Sequence, residues 1–169
     1  RLFDGLQHIR ATIAINAVGS GPSHTMTTKY NRWLSEARGP LFEVLSFCEP
    51  SGWHFAGAVP KVGSDTDIAI AQKVLRHASL SSCLGGSTEI YYHNAPQYWV
   101  RSMTFKPYFW NERNGEQLST QVKPLGLQNR ERAKAACAAL NSSLFYWWFI
   151  ALSDCRHLNM REIERFPLG

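Results

Sequence analysis

The residues in this chain best suited to chemistry are flat rings interleaved with cations. They stand at Tyr91-Tyr92-His93-Asn94, at Tyr98-Trp99-Val100-Arg101 and at Phe105-Lys106-Pro107-Tyr108-Phe109-Trp110. Aromatic faces stack on nucleobases, guanidinium and ammonium groups neutralise phosphates, and amides read base edges. Such rings have a second use. Aromatics in strands ordinarily pack on a neighbouring helix or sheet, so most of these rings are assigned to the core, and Arg101, Lys106 and Arg113 to contact. Between Tyr91 and Lys134 seven Lys or Arg stand against Glu112, Glu116 and Glu131, so this segment carries +4 of a net charge of +5. A solvated basic face accounts for that charge as readily as a phosphate-contacting one.

Residues for catalysis are scarce. Ser23 adjoins His24, but neighbours in sequence do not by themselves form a nucleophile and base, and there is no Gly-x-Ser-x-Gly elbow. Gly19-Ser20-Gly21-Pro22 lacks the glycines of a dinucleotide loop and the Gly-Lys-Ser/Thr ending of a P-loop. His54, His77, His93 and His157 are isolated, and Cys48, Cys83, Cys137 and Cys155 form no Cys-x-x-Cys pair. No catalytic residue and no metal ligand is assigned, and the cysteines read as reduced and packed, as in a cytoplasmic protein. On its residues alone the chain reads as a binding module more than as an enzyme.

A length of 169 residues with 44% hydrophobic and 18% charged residues describes a globular chain with a sizeable core. The elements that would position the rings follow from periodicity. Ile9 to Ala17 reads as a buried strand, Gly19 to Thr28 as a loop, and Lys29 to Phe47 as a helix broken at Gly39-Pro40. After a turn-rich passage from Glu49 to Gly63, Ile68, Ala71, Val74 and Leu75 mark a helix over 67–77, capped by Asp65 or Asp67. Beyond a Gly85-Gly86 turn, 88–93 and 98–104 form a hairpin around Asn94-Ala95-Pro96-Gln97, and 118–124 a further strand.

Asn129 then caps a helix whose small and apolar positions run from Ala133 through Leu140, Leu144, Trp147 and Trp148 to Leu152. About 24 residues at 1.5 Å each would make a central rod of roughly 36 Å. Its most apolar run, Leu144 to Leu152, is too short to cross a membrane. Asn141-Ser142-Ser143 fits the glycosylation pattern but falls inside this helix and is discounted. A last helix begins at Asn159, with Glu162 in capping-box position, and stops before Pro167. The expected class is α+β: a mixed sheet and hairpin packed on a long central helix. The opening at Arg1, running at once into apolar sequence, reads as a fragment of a larger enzyme.

Four pieces carry a family likeness: LFDG at 2–5 with ATIAI at 11–15; TTKYNRW at 27–33 followed by LF at 41–42; LNSSLFYWWF at 140–149 with SDCRHLN at 153–159; and FP at 166–167. In their order and spacing the chain resembles the C-terminal part of large single-chain N6-adenine DNA methyltransferases of restriction-modification and phage-defence systems. The resemblance implies that 1–48 is the last strip of the methyltransferase domain and 49–169 a target recognition domain. The family's Phe-x-Gly-x-Gly cofactor motif and Asn/Asp-Pro-Pro-Tyr/Phe catalytic motif are both absent. The parent would use S-adenosylmethionine, while this piece would hold no cofactor and have duplex DNA and the parent's catalytic domain as partners, with no membrane.

On that view Lys29, Arg32 and Arg38 would hold phosphates near the catalytic half. The basic segment from Tyr91 to Lys123, with Lys106 and Lys123, would present Arg101, Arg113 and Gln121 to base edges. Two other classes stay open: an RNA or single-strand binding module with exposed rings, and a protein-interaction domain.

Overall fold

The computed structural model of the chain describes residues 13, 15, 18–22, 24–50 and 58–168, apart from the side chains of Ser35 and Arg38. Most of the strand expected over 9–17 and much of the passage from Glu49 to Gly63 lie outside the described residues; Ile13 and Ile15, which are described, are exposed and in no strand. What is described is α+β: four helices, a three-stranded antiparallel sheet and a separate two-stranded hairpin. The helices are α1 (Asp65–Val74), α2 (Arg130–Leu140), α3 (Ser143–Leu152) and α4 (Met160–Glu164). The strands are β1 (Leu84–His93), β2 (Ser102–Met103), β3 (Trp110–Asn111), β4 (Gly115–Glu116) and β5 (Val122–Leu127), with β1 central between β2 and β5.

Local chemistry fixes most element ends. The Asn129 side chain accepts from the Arg132 N–H and opens α2, as its sequence position predicts. At α4 the Glu162 carboxylate accepts from the Asn159 N–H at 3.0 Å, closing the expected capping box. The cap of α1 is Ser64 rather than Asp65 or Asp67. Its hydroxyl accepts from the Asp67 N–H while the Asp67 carboxylate takes the Ser64 hydroxyl and the Gly63 N–H in return, so Asp67 is the reciprocal partner of the cap.

The expected central rod is two helices meeting at 68°. Asn141 ends α2, and the Ser142 hydroxyl caps α3 by accepting from the Phe145 N–H. Locally the Asn141 Nδ2 also donates to the Cys137 carbonyl and the Ser142 hydroxyl to the Ala139 carbonyl, and a tertiary tie adds to these caps. Asn141 Oδ1 accepts from the Ser102 N–H and its Nδ2 donates to the Ser102 carbonyl, both at 2.9 Å, so one amide substitutes for a strand partner on β2. No single helix among the described residues is long and apolar enough to cross a membrane.

The helix expected from Lys29 to Phe47 is absent, replaced by a 3-10 turn over Ser35–Arg38. Gly39-Pro40 cuts the stretch into pieces below the length at which helices hold without packing, and Leu34, Phe42, Val44 and Phe47 are all exposed, so no buried face rewards the helix. The Gly85-Gly86 pair lies inside β1 rather than before it. It makes a bulge: Leu84 and Thr88 both register with Leu127, Gly85 takes φ +86°, and a Cβ on Gly86 would strike the Leu127 carbonyl. The hairpin after β1 forms with Tyr91 opposite Met103 and Tyr92 opposite Ser102, but its second strand is two residues long. The strand expected over 118–124 begins later, at Val122.

The core lies between α2 and one face of the sheet and continues under α3 and α4. Ile90, Leu125 and Leu127 meet Ala133, Ala136 and Leu140, and Phe145 and Trp148 both set their edges against Phe166. The Trp148 indole N–H donates to the Glu162 carbonyl at 3.0 Å. Lys61 ties off the end of α3, its N–H donating to Ala151 and its Nζ to the Ser153 carbonyl, and burial lowers its pKa from the ordinary lysine value.

Candidate nucleic-acid interface

Three distant stretches of sequence converge on one open groove of about 560 Å3, lined by Lys29, Tyr30, Asn31, Arg32, Tyr98, Tyr146 and Ile150. The first wall is set by backbone pairing. Thr27 and Cys48 exchange N–H···O bonds of 2.9 and 3.0 Å, and the Thr27 hydroxyl donates to the Val62 carbonyl at 3.0 Å. Gly63 is needed beside them, because a Cβ there would come within 2.9 Å of the Lys29 nitrogen. This bracing carries Lys29, Tyr30, Asn31 and Arg32 outward in series. The Arg32 guanidinium stands 5.6 Å from the Tyr30 ring centre, within cation–π range.

The second wall is the loop between β1 and β2. The Asn94 N–H donates to Gln121, the Leu158 N–H to Asn94, and the His93 N–H to Arg101, so both feet of the loop are pinned. Its crest, Tyr98 and Trp99, is 65% and 62% exposed. The third wall is α3, where the Tyr146 hydroxyl donates to the Gln97 carbonyl at 3.3 Å and Ile150 forms an aliphatic patch one turn on.

Asp67 lies close by. The Trp147 indole N–H donates to its carboxylate at 2.9 Å, linking α1 to α3. Burial works to raise the Asp67 pKa, but hydrogen bonds from Trp147, Ser64 and Gly63, with the charge of Lys29, outweigh it and hold the carboxyl below the usual range. Lys29 is therefore partly balanced by a neighbouring acid, and Arg32 is the less compensated of the two cations lining the groove.

The expected contact residues divide into two groups. Lys29 and Arg32 come together with rings. The Arg38 side chain lies outside the described residues. Arg101, Lys106, Arg113, Gln121 and Lys123 are all exposed but none lines the groove. Arg101 leads into β2, Arg113 sits in the turn of the β3–β4 hairpin, and Lys123 is on β5 opposite Tyr92.

The assignment of most rings in the three clusters to the core is corrected: Tyr98, Trp99, Phe105, Tyr108, Phe109 and Trp110 are all exposed, Tyr91 is half-buried, and Tyr92 alone of these rings is buried. The reason is geometric. Among the described residues the β3–β4 hairpin joins neither strand to the main sheet, and α2 meets the strip at β2 rather than at its rings. Tyr30, Asn31, Tyr146 and Ile150 line the groove without standing among the expected contact residues, although Lys29-Tyr30-Asn31-Arg32 repeats in miniature the ring-and-cation alternation at 98–101.

Among the described residues no group of His, Cys, Asp or Glu is placed to hold a metal ion. The groove lining has two cations and no carboxylate, which does not suit the sulfonium and hydroxyl groups of S-adenosylmethionine. The arrangement suits a polyanion carrying flat groups. No protein-family model, curated protein or solved structure matches the chain.

Proposed function

We propose that this chain is the DNA-contacting, target recognition region of an N6-adenine DNA methyltransferase, acting in the cytoplasm and holding duplex DNA for a catalytic domain of the same parent protein. The observation that carries the nucleic-acid part is the meeting of Lys29 and Arg32 with the rings of Tyr30, Tyr98 and Tyr146 in one groove. The methyltransferase part rests on the sequence resemblance at 2–15, 27–42, 140–159 and 166–167. Methyl transfer and S-adenosylmethionine belong in this reading to the parent's catalytic domain.

In this reading the cations give affinity and the exposed strip gives contact area. Lys29 and Arg32 meet phosphates, while Arg101, Lys106, Arg113, Gln121 and Lys123 approach the duplex from the β1–β2 hairpin, the β3–β4 hairpin and β5. The test is binding of the chain to random-sequence duplex DNA by fluorescence anisotropy across a salt series. Affinity should fall steeply with salt, and each phosphate contact removed should flatten the log–log slope by about one. The double variant Lys29→Ala/Arg32→Ala should therefore lose about two units of slope. Binding that ignores salt, or a slope unchanged in the double variant, would refute the reading.

One observation favours a second reading, a single-strand or RNA module. Tyr98, Trp99 and Tyr108 are exposed, as the rings that stack on unpaired bases must be. A single strand that displaces duplex from the chain, and is not displaced by it, would select that reading.

A further inference from the structure

We propose that Asn114 is a self-modifying site, where the side-chain amide is lost through attack by Gly115 and replaced by a carboxylate that weakens the hairpin's hold on DNA. The first half of this proposal stands on the β3–β4 hairpin alone, and the second rests on the nucleic-acid reading above. Asn114-Gly115 is the chain's single Asn-Gly pair. Such a pair suits a hairpin turn because both residues tolerate left-handed backbone, and here Gly115 takes φ +69°. The missing side chain also leaves the Gly115 nitrogen uncrowded, since a Cβ there would meet nothing within 4 Å.

The other described asparagines lack this combination. Side-chain hydrogen bonds engage Asn31, Asn111, Asn129, Asn141 and Asn159. Asn94 is half-buried and precedes Ala95, whose N–H already donates to His93 Nδ1 at 3.4 Å. Asn114 is exposed, and among the described residues its side-chain amide has no hydrogen bond, while its backbone N–H donates to Asn111 Oδ1 at 2.8 Å. Gly115 pairs with Asn111 in a two-residue ladder apart from the main sheet, so local opening to the reactive geometry costs little.

The step balances without a cofactor, an oxidant or a second protein. The Gly115 nitrogen gives its proton to hydroxide and attacks Asn114 Cγ. The Cγ–Nδ2 bond breaks, ammonia leaves with a proton from water, and a cyclic imide closes. Water then opens the imide at either carbonyl, leaving aspartate or isoaspartate, so that one amide and one water become one carboxylate and one ammonium ion. The new charge lies beside Arg113, on a hairpin that already carries Glu112 and Glu116, and takes the net charge from +5 to +4. With Arg113 offset by an added acid, duplex binding should fall several-fold at low salt.

The test incubates the full chain in mildly alkaline and mildly acidic buffer and follows every asparagine by peptide mass spectrometry, with duplex DNA affinity measured in parallel. Asn114 should convert first, to both aspartate and isoaspartate, and faster in alkali, where the attacking nitrogen loses its proton more readily. Asn114→Gln would have to close a larger ring, so it should resist conversion and bind DNA as the fresh chain does. Asn114→Asp should bind several-fold more weakly than Asn114→Gln. Conversion that begins at another asparagine, or that spares Asn114, would overturn the site. Equal affinities of the two variants, in a chain that binds DNA, would overturn the effect on binding. No DNA binding by the fresh chain would refute the nucleic-acid reading and that effect together, while conversion at Asn114 would still be read by mass.

Discussion

Two sets of rings, one on α3 and one between residues 98 and 110, solve opposite problems with the same chemistry. Trp148 is 0% exposed and Trp99 is 62% exposed. On α3 the rings recur at helical spacing and meet an opposing layer, so Phe145, Trp148 and Phe149 all find apolar partners in Phe166, Ile163 and the sheet. In the strip the rings sit on loops and two-residue strands, and among the described residues no layer covers them, so they stay exposed. Ring type alone does not decide burial; an opposing layer does. Six large rings are exposed there among Arg101, Lys106 and Arg113, which is the kind of surface the proposed contact role would use.

The comparison breaks most visibly at Trp148. Replacing it by Ala removes a fully buried indole and its bond to the Glu162 carbonyl, so Trp148→Ala should destabilise by about 3–5 kcal/mol, read from urea unfolding. A loss below 1 kcal/mol would mean that the α3 rings are not the core they form here. The next largest effect belongs to the joint between the two regions. Asn141 holds both backbone groups of buried Ser102, where the strip begins, and Asn141→Ala leaves them without that partner, a cost of about 1–3 kcal/mol. The same variant frees α2 and α3 to straighten, so a rise in helical circular dichroism alongside the lost stability would sharpen the assignment. The Ser102 hydroxyl itself is buried without a hydrogen-bond partner among the described residues, so Ser102→Ala should be close to neutral.

These same places show how far the sequence could be read. The caps at Asn129 and Asn159–Glu162 were legible because both partners lie within a few residues, and the α+β class followed from mixed periodicity. The break at Asn141–Ser142 was not, because a polar triplet in an apolar helix reads as a tolerated surface turn, and the tie of Asn141 to Ser102 that accompanies the local caps spans 39 residues. Ring exposure was hidden for a related reason. An aromatic run in a strand reads the same whether or not a layer covers it. Of the expected contacts, Lys29 and Arg32 reached the groove, but its other walls, at 98 and at 146–150, come from parts of the chain that only folding brings together.

A smaller effect distinguishes the groove's edge from both ring sets. Trp147 is half-buried and bonded to Asp67, whose folded-state pKa lies below its unfolded value of about 3.9. The contribution of Asp67 is therefore complete above that pH and is lost as pH falls through the lower, folded value. Trp147 fluorescence should change over the same acid range, and Asp67→Asn should flatten that part of the pH–stability curve. A change centred above pH 5 would assign it to another group.

The smallest effect on stability is expected at Trp99, and its smallness is the point. A ring that contacts solvent over most of its surface contributes little to folding, so Trp99→Ala should shift unfolding by no more than about 0.5 kcal/mol. If the strip is a contact surface, the same substitution should weaken duplex DNA binding several-fold at low salt without altering the salt slope, because a neutral ring displaces no counterions. A stability loss comparable to that of Trp148→Ala would return Trp99 to the core and remove the contrast between the two ring sets. An unchanged affinity at unchanged stability would instead confine the DNA-facing surface to the groove and its cations.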